Sequence, residues 1–116
     1  MIKEKYILAA GSPAFSKGLA EIFRGEGWQV DTVANKAASV RRSQEMHDVP
    51  QYFVTDKLKD WVTSLARELQ PQGTVIILSG FMPESPEELE RILGVPYTSM
   101  MGLPSKVASV LLGKDI

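Results

Sequence analysis

The stretch that most constrains this chain is Tyr6-Ile-Leu-Ala-Ala-Gly-Ser-Pro-Ala-Phe15. An apolar run of strand length, Tyr6 to Ala10, stops at Gly11 and passes directly into Ser12-Pro13. Serine is favoured at a helix N-cap because its hydroxyl accepts from a free N–H of the first turn. Proline suits the first helical position, where its missing donor costs nothing. Beyond it, Phe15, Leu19, Ile22 and Phe23 keep helical spacing. A buried strand turning straight into an amphipathic helix is the opening half of a β-α-β unit. In sheets made of such units, ligands and chemistry gather at the carboxyl ends of the strands. The residues at that edge decide function.

The same alternation continues to the end of the chain. Arg24-Gly-Glu-Gly27 supplies a glycine stop, and Trp28 to Ala34 alternates like a second strand. Asn35 can cap a helix over about Lys36 to Met46, with Ala37, Ala38 and Val40 as its inward set. Tyr52 to Thr55 is a third β-prone run, ending at Asp56. Leu58, Trp61, Val62, Leu65 and Leu69 then mark a third helix, closed by Pro71-Gln-Gly73. Thr74 to Ser79 is apolar on both faces, as a central parallel strand must be. Ser85-Pro-Glu-Glu88 is a capping box that opens a fourth helix with Leu89, Ile92 and Leu93 inward, ended by Gly94. Tyr97 to Met101 forms a weaker fifth strand, and Pro104-Ser105 starts a last helix with Val107, Val110 and Leu111 inward. Five strands alternating with five helices predict an α/β fold, a doubly wound parallel sheet in the flavodoxin-like order 2-1-3-4-5.

Composition sets the outer limits. At 116 residues the chain has the size of one domain, spanning 1–116. Thirteen basic and fourteen acidic residues give a net charge of −1, which offers no electrostatic footprint for nucleic acid or an anionic membrane. The absence of cysteine excludes disulfides, thiolate metal sites and thiol nucleophiles. A single histidine, His47, gives no ligand set for a metal, and a position near a helix C-terminus accounts for it. No apolar run reaches membrane-spanning length and the N-terminus carries no signal-peptide pattern, so a cytoplasmic location is expected.

On these residues the chain resembles the receiver domain of two-component response regulators, the CheY-like superfamily. The segment from Tyr6 to Val30 is similar to the family's opening, in which two acidic residues close the first strand. "QYFVTD" resembles the third strand with its phosphoacceptor aspartate, "VIILSG" the fourth with its switch hydroxyl, and "TSMMGLPS" the fifth with its Lys-Pro pair. Position by position, the resemblance puts the phosphoacceptor on Asp56 and the switch hydroxyl on Ser79. The acidic pair falls on Ala10 and Gly11, the switch aromatic on Met100 and the lysine on Leu103. Phosphoryl transfer to a carboxylate needs a divalent cation to neutralise charge. Asp56 has neither the acids to hold one nor the lysine to pair with a phosphoryl oxygen. The resemblance therefore implies a pseudo-receiver, with no catalytic residue, metal or cofactor.

Each candidate has a plainer reading beside it. Asp56 can cap the helix that follows, and Ser79-Gly80 can be turn chemistry. Gly11-Ser12 at a helix start could bind a phosphate, although one glycine falls short of a nucleotide fingerprint. Trp61 reads as core, while Trp28 reads as core or as a partner anchor. Phe81, Met82, Met100, Met101 and Leu103 make an apolar group that serves either as an interaction patch or as packing over the sheet edge. The leading expectation is a phosphorylation-independent interaction domain. It would bind a protein partner or a second copy through the face of the fourth helix, fifth strand and fifth helix. Similar atypical receivers precede ATPases of the ParA/MinD type in pilus assembly, and the ending at Gly113-Lys-Asp-Ile116 suits a domain of such a protein. The alternatives are a working phosphoreceiver using Asp56 and a small flavodoxin-like ligand-binding domain.

Overall fold

Successive residues of a strand point to opposite faces of a sheet, and the first strand shows what that divides. Leu8 and Ala10 enter one buried cluster, Ile7 and Ala9 another. The computed structural model describes residues 5–32, 35–57, 60–80, 86–100 and 103–113. Its strands are Tyr6–Ala10 (β1), Gln29–Thr32 (β2), Gln51–Thr55 (β3), Val75–Ser79 (β4) and Thr98–Met100 (β5). They form one parallel sheet in the order β2-β1-β3-β4-β5. The helices are Pro13–Gly25 (α1), Lys36–Glu45 (α2), Asp60–Leu69 (α3), Pro86–Leu93 (α4) and Pro104–Leu112 (α5), with a 3₁₀ turn at Gln70–Gln72. The expected doubly wound order is the one observed.

One face of the sheet is covered by α1 and α5, through Phe15, Leu19, Phe23, Val107 and Ala108. The other is covered by α3 and α4, through Val62, Leu65, Leu69 and Leu93, with Val40 of α2 at the margin. Fully burying side chains of this kind is worth about 1.5–3 kcal/mol each, which makes these two layers the main source of stability. Gly18 lets α1 approach α5: a Cβ there would lie 2.9 Å from the Pro104 ring.

The chain's punctuation behaves as its residue types require. Gly27 takes φ +84°, and its N–H donates to the Arg24 carbonyl while Trp28 N–H donates to Phe23. This double bond is the Schellman closure of a helix, with the accompanying apolar contact between Trp28 and Phe23, whose rings are 4.8 Å apart. Trp28 is thus core, stacked also against Tyr52 at 5.8 Å. Trp61 is only partly buried, packed at the edge of the second cluster. Asn35 caps α2 as expected, accepting from Ala38 N–H at 2.8 Å.

Three helices bury different residues from those expected. The inner side of α2 is Ser39 and Ser43, while Ala37 is exposed and Ala38 and Val40 are half-buried. Both serines are satisfied locally: Ser39 donates to the Asn35 carbonyl, and Ser43 donates to Gln51 Oε1 at 2.6 Å. Gln51 in turn donates to the carbonyls of Ser43 and Met46, closing the helix end. On α4, Ile92 is exposed, and on α5, Val110 is exposed while Ala108 takes the inner place. The capping residue Ser85, Leu58 and Ala34 lie outside the described residues.

Arg67 at the end of α3 donates from Nε to the Leu93 carbonyl at 2.9 Å and from its terminal nitrogen to the Ile92 carbonyl. A cation on the unsatisfied carbonyls of a helix end is favourable for both charge and hydrogen bonding. It fixes α4 to α3.

Candidate functional site

The carboxyl ends of β1 and β3 are adjacent in the sheet, with Ala10 paired to Thr55. The residues that follow, Gly11-Ser12 and Asp56, therefore meet across the sheet's mouth. Ser12 N–H donates to Asp56 Oδ1 at 2.9 Å, and the Ser12 hydroxyl donates to Oδ2 at 2.6 Å. One residue thus engages both oxygens of the carboxylate.

This contact requires the glycine before it. Gly11 has φ +146°, and a Cβ there would lie 1.8 Å from Asp56 Oδ1. A real side chain could not coexist with the carboxylate in this position. The serine begins α1 with extended backbone angles but gives its side chain to Asp56 rather than to the helix. The expected N-cap use of Ser12 is thus replaced by a long-range bond. Asp56 turns its carboxylate to Ser12, while residues 58 and 59, whose N–H groups it was expected to cap, lie outside the described residues. The exit of β3 is instead closed by Thr55, whose hydroxyl accepts from Lys57 N–H at 3.1 Å and donates to the Lys57 carbonyl at 2.8 Å.

The other positions lie around this contact. Ala10 is fully buried at the end of β1, and Ser79 is fully buried at the end of β4. Met100 is half-buried and packs on the α1–α5 side, its carbonyl accepting from Gly80 N–H at 3.0 Å. Leu103 precedes α5 and is 54% exposed, apolar where the resemblance would place an ammonium. Phe81, Met82 and Met101 lie outside the described residues.

A divalent ion at this edge would need carboxylate or carbonyl oxygens converging on it. Ala10 and Gly11 supply no side-chain ligand, and both oxygens of Asp56 are already accepting from Ser12. Among the described residues no group of three or more His, Cys, Asp or Glu side chains could hold a metal. The residues present do not fit the ion that the resemblance implies.

His47 lies away from this edge, its Nδ1 3.2 Å from the Gln44 carbonyl and its Nε2 2.9 Å from Asp48. A second polar group, not singled out in the sequence, joins β1, β2 and α2. Tyr6 hydroxyl donates to Asp31 Oδ2 at 2.8 Å, and Arg42 Nε donates to the same oxygen at 2.5 Å. Burial above all, and then the bond to Asp31, pushes the Tyr6 phenol well above its ordinary range. Burial pushes the Asp31 carboxyl up, but bonds from Arg42 and Tyr6 and the Arg42 charge outweigh it and hold the group below its ordinary value. The bonds to Asp31 and then Glu45 keep Arg42 more firmly protonated.

With the five-stranded order and the mouth of the sheet defined, the chain can be compared with solved structures. The chemotaxis protein CheY4 of Vibrio cholerae superposes with a TM-score of 0.69 over 97% of this chain and 98% of its own, at 15% identity. The fold is that of CheY. A Burkholderia pseudomallei protein provisionally linked to pilus assembly follows with a TM-score of 0.64, covering 96% of this chain and 88% of its own, at 16% identity. A 3-dehydroquinate dehydratase-like protein from Bifidobacterium longum is more distant, with a TM-score of 0.51 over 93% of this chain and 94% of its own, at 16% identity. No family profile and no curated protein sequence matches the chain. At such identities the likeness extends to the CheY-like architecture. No helix among the described residues is long and apolar enough to cross a membrane.

Proposed function

We propose that the chain is a receiver-like signalling domain that binds a protein partner, or a second copy of itself, without being phosphorylated. The observation that carries this reading is the closure of Asp56 on Ser12. An acceptor carboxylate has to present a free oxygen beside a bound cation, because the incoming phosphoryl group brings concentrated negative charge. Here both oxygens accept from neutral donors of one residue, and the neighbouring positions are Ala10 and Gly11. The fold keeps the receiver scaffold while its chemical edge is tied shut.

A surface for the partner is supported by exposed apolar side chains, two of which, Ile92 and Val110, the helical pattern placed inside. Ile92 on α4, Leu103 before α5 and Val110 on α5 are 42%, 54% and 63% exposed. They lie on the elements that flank β5, the last strand of the sheet. Exposed apolar residues on the helices either side of this strand are candidates for a protein contact. The likeness to a protein linked to pilus assembly supports a role as the interaction domain of a larger assembly, such as one with a ParA/MinD-type ATPase.

The test is incubation with acetyl phosphate and Mg²⁺ followed by intact-mass measurement. The expected result is no phosphate adduct, under conditions in which a working receiver becomes labelled. An adduct that disappears in Asp56→Asn would instead establish a phosphoreceiver with divergent ligands.

A further inference from the structure

We infer that the groove between the last turn of α4 and β5 takes an extended segment of a partner protein, apolar in alternate positions and carrying Lys or Arg beside them. This inference rests on the interaction reading above and specifies the partner's chemistry.

The groove has a volume of about 680 Å³ and is lined by Glu90, Gly94, Val95, Pro96, Tyr97 and Ser99. Its floor is apolar: Val95 and Tyr97 are half-buried against the cluster beneath α3 and α4. Among the lining residues the one charge is Glu90. Glu87 stands one turn earlier on the same helical stripe and is exposed, which extends the negative wall along α4. Arg67 behind the wall is turned to the Ile92 and Leu93 carbonyls, and Arg91 pairs with Glu88 at 3.6 Å. An apolar floor beside an acidic wall matches a basic, apolar segment by charge and by shape.

The strand beside the groove decides how such a segment would lie. β5 ends the sheet order, so one of its edges faces no strand among the described residues. Met100 turns its backbone toward β4, as its carbonyl bond from Gly80 shows. Backbone groups alternate sides along a strand, so Ser99 presents its N–H and C=O to the open edge. An added strand can bond there while its side chains alternate over Tyr97 and Glu90. Because Arg67 holds the end of α4 in place, the groove needs little ordering on binding.

The test uses the whole chain, without Mg²⁺ or a phosphodonor, titrated with a labelled peptide alternating Val and Lys and with its Val–Glu counterpart. The basic peptide should bind at least roughly tenfold more tightly, as expected for a complementary against a like-charged rim. Backbone amide shifts should centre on Glu90, Val95 and Tyr97 to Ser99. Glu90→Lys should reverse the preference, and Ser99→Pro should weaken binding without changing the melting temperature, since proline removes only the outward N–H. Equal binding of both peptides, shifts centred elsewhere, or self-association abolished by Glu90→Lys would overturn the inference. Labelling of Asp56 by a phosphodonor would defeat the phosphorylation-independent reading alone, because the titration contains neither donor nor metal.

Discussion

Two aspartates near the sheet, Asp31 on β2 and Asp56 beyond β3, are both bound through their carboxylates, and in opposite ways. Asp31 shares one oxygen between a phenol and a guanidinium, so its charge is compensated by Arg42. Among the described residues Asp56 receives the N–H and hydroxyl of Ser12 and no cation. The first arrangement is electrostatic and ties three elements together. The second is steric: it depends on a missing Cβ at Gly11 and on one serine reaching across the mouth. A carboxylate that serves chemistry needs the first kind of surroundings, and in this chain they belong to the wrong aspartate.

The largest effect should come from filling the space at Gly11. Gly11→Ala puts a Cβ where Asp56 Oδ1 lies and forces a left-handed backbone angle on alanine. A loss of about 2–4 kcal/mol in denaturant unfolding is expected. In an Asp56→Ala background the conflict with the carboxylate vanishes, so the same substitution should cost about 1 kcal/mol less. Equal costs in the two backgrounds would show that the carboxylate does not occupy that space.

The electrostatic aspartate should reveal itself through pH. The Asp31 carboxyl is depressed from its ordinary 3.8, so its contribution is complete above that value and is lost as pH falls through the lower folded-state value. The Tyr6 phenol is raised from 10.0, so its contribution is complete below that value and is lost as pH rises beyond it. Tyr6→Phe should cost about 1 kcal/mol at neutral pH and flatten the alkaline limb of a melting-temperature profile. Asp31→Asn should flatten the acid limb. An unchanged alkaline limb in Tyr6→Phe would mean that another tyrosine governs it.

How much of this was readable beforehand follows from the same contrast. Strand order was legible from the alternation of strands and helices, and helix ends from local signals such as the glycine at 27, the asparagine at 35 and the proline at 104. The inner face of α2 was not, because Ser39 and Ser43 look like surface residues until Asn35 and Gln51 are seen to satisfy them. Ile92 and Val110 sit at helical spacing yet are exposed, since periodicity marks a stripe but not the width that neighbours cover. The absence of an acidic pair at Ala10-Gly11 was plain in the letters. What replaced it was not, because the Ser12–Asp56 contact spans the sheet and competes with a capping role that each residue could equally fill.

The smallest effect should come from Asp56→Asn. The amide oxygen of asparagine can take over the bond from Ser12 N–H, and its NH₂ can donate to the serine hydroxyl, which turns from donor to acceptor. Both contacts survive with their direction partly reversed, and no cation among the described residues is stranded. A change below about 1 kcal/mol is expected, comparable with other substitutions that leave hydrogen bonding intact. Asp31→Asn should cost more, since it leaves Arg42 facing a neutral amide. If Asp56→Asn proved the more damaging of the two, the negative charge at the mouth would have to be compensated by something other than Ser12. The case for a closed and inactive edge would then fail at its first step.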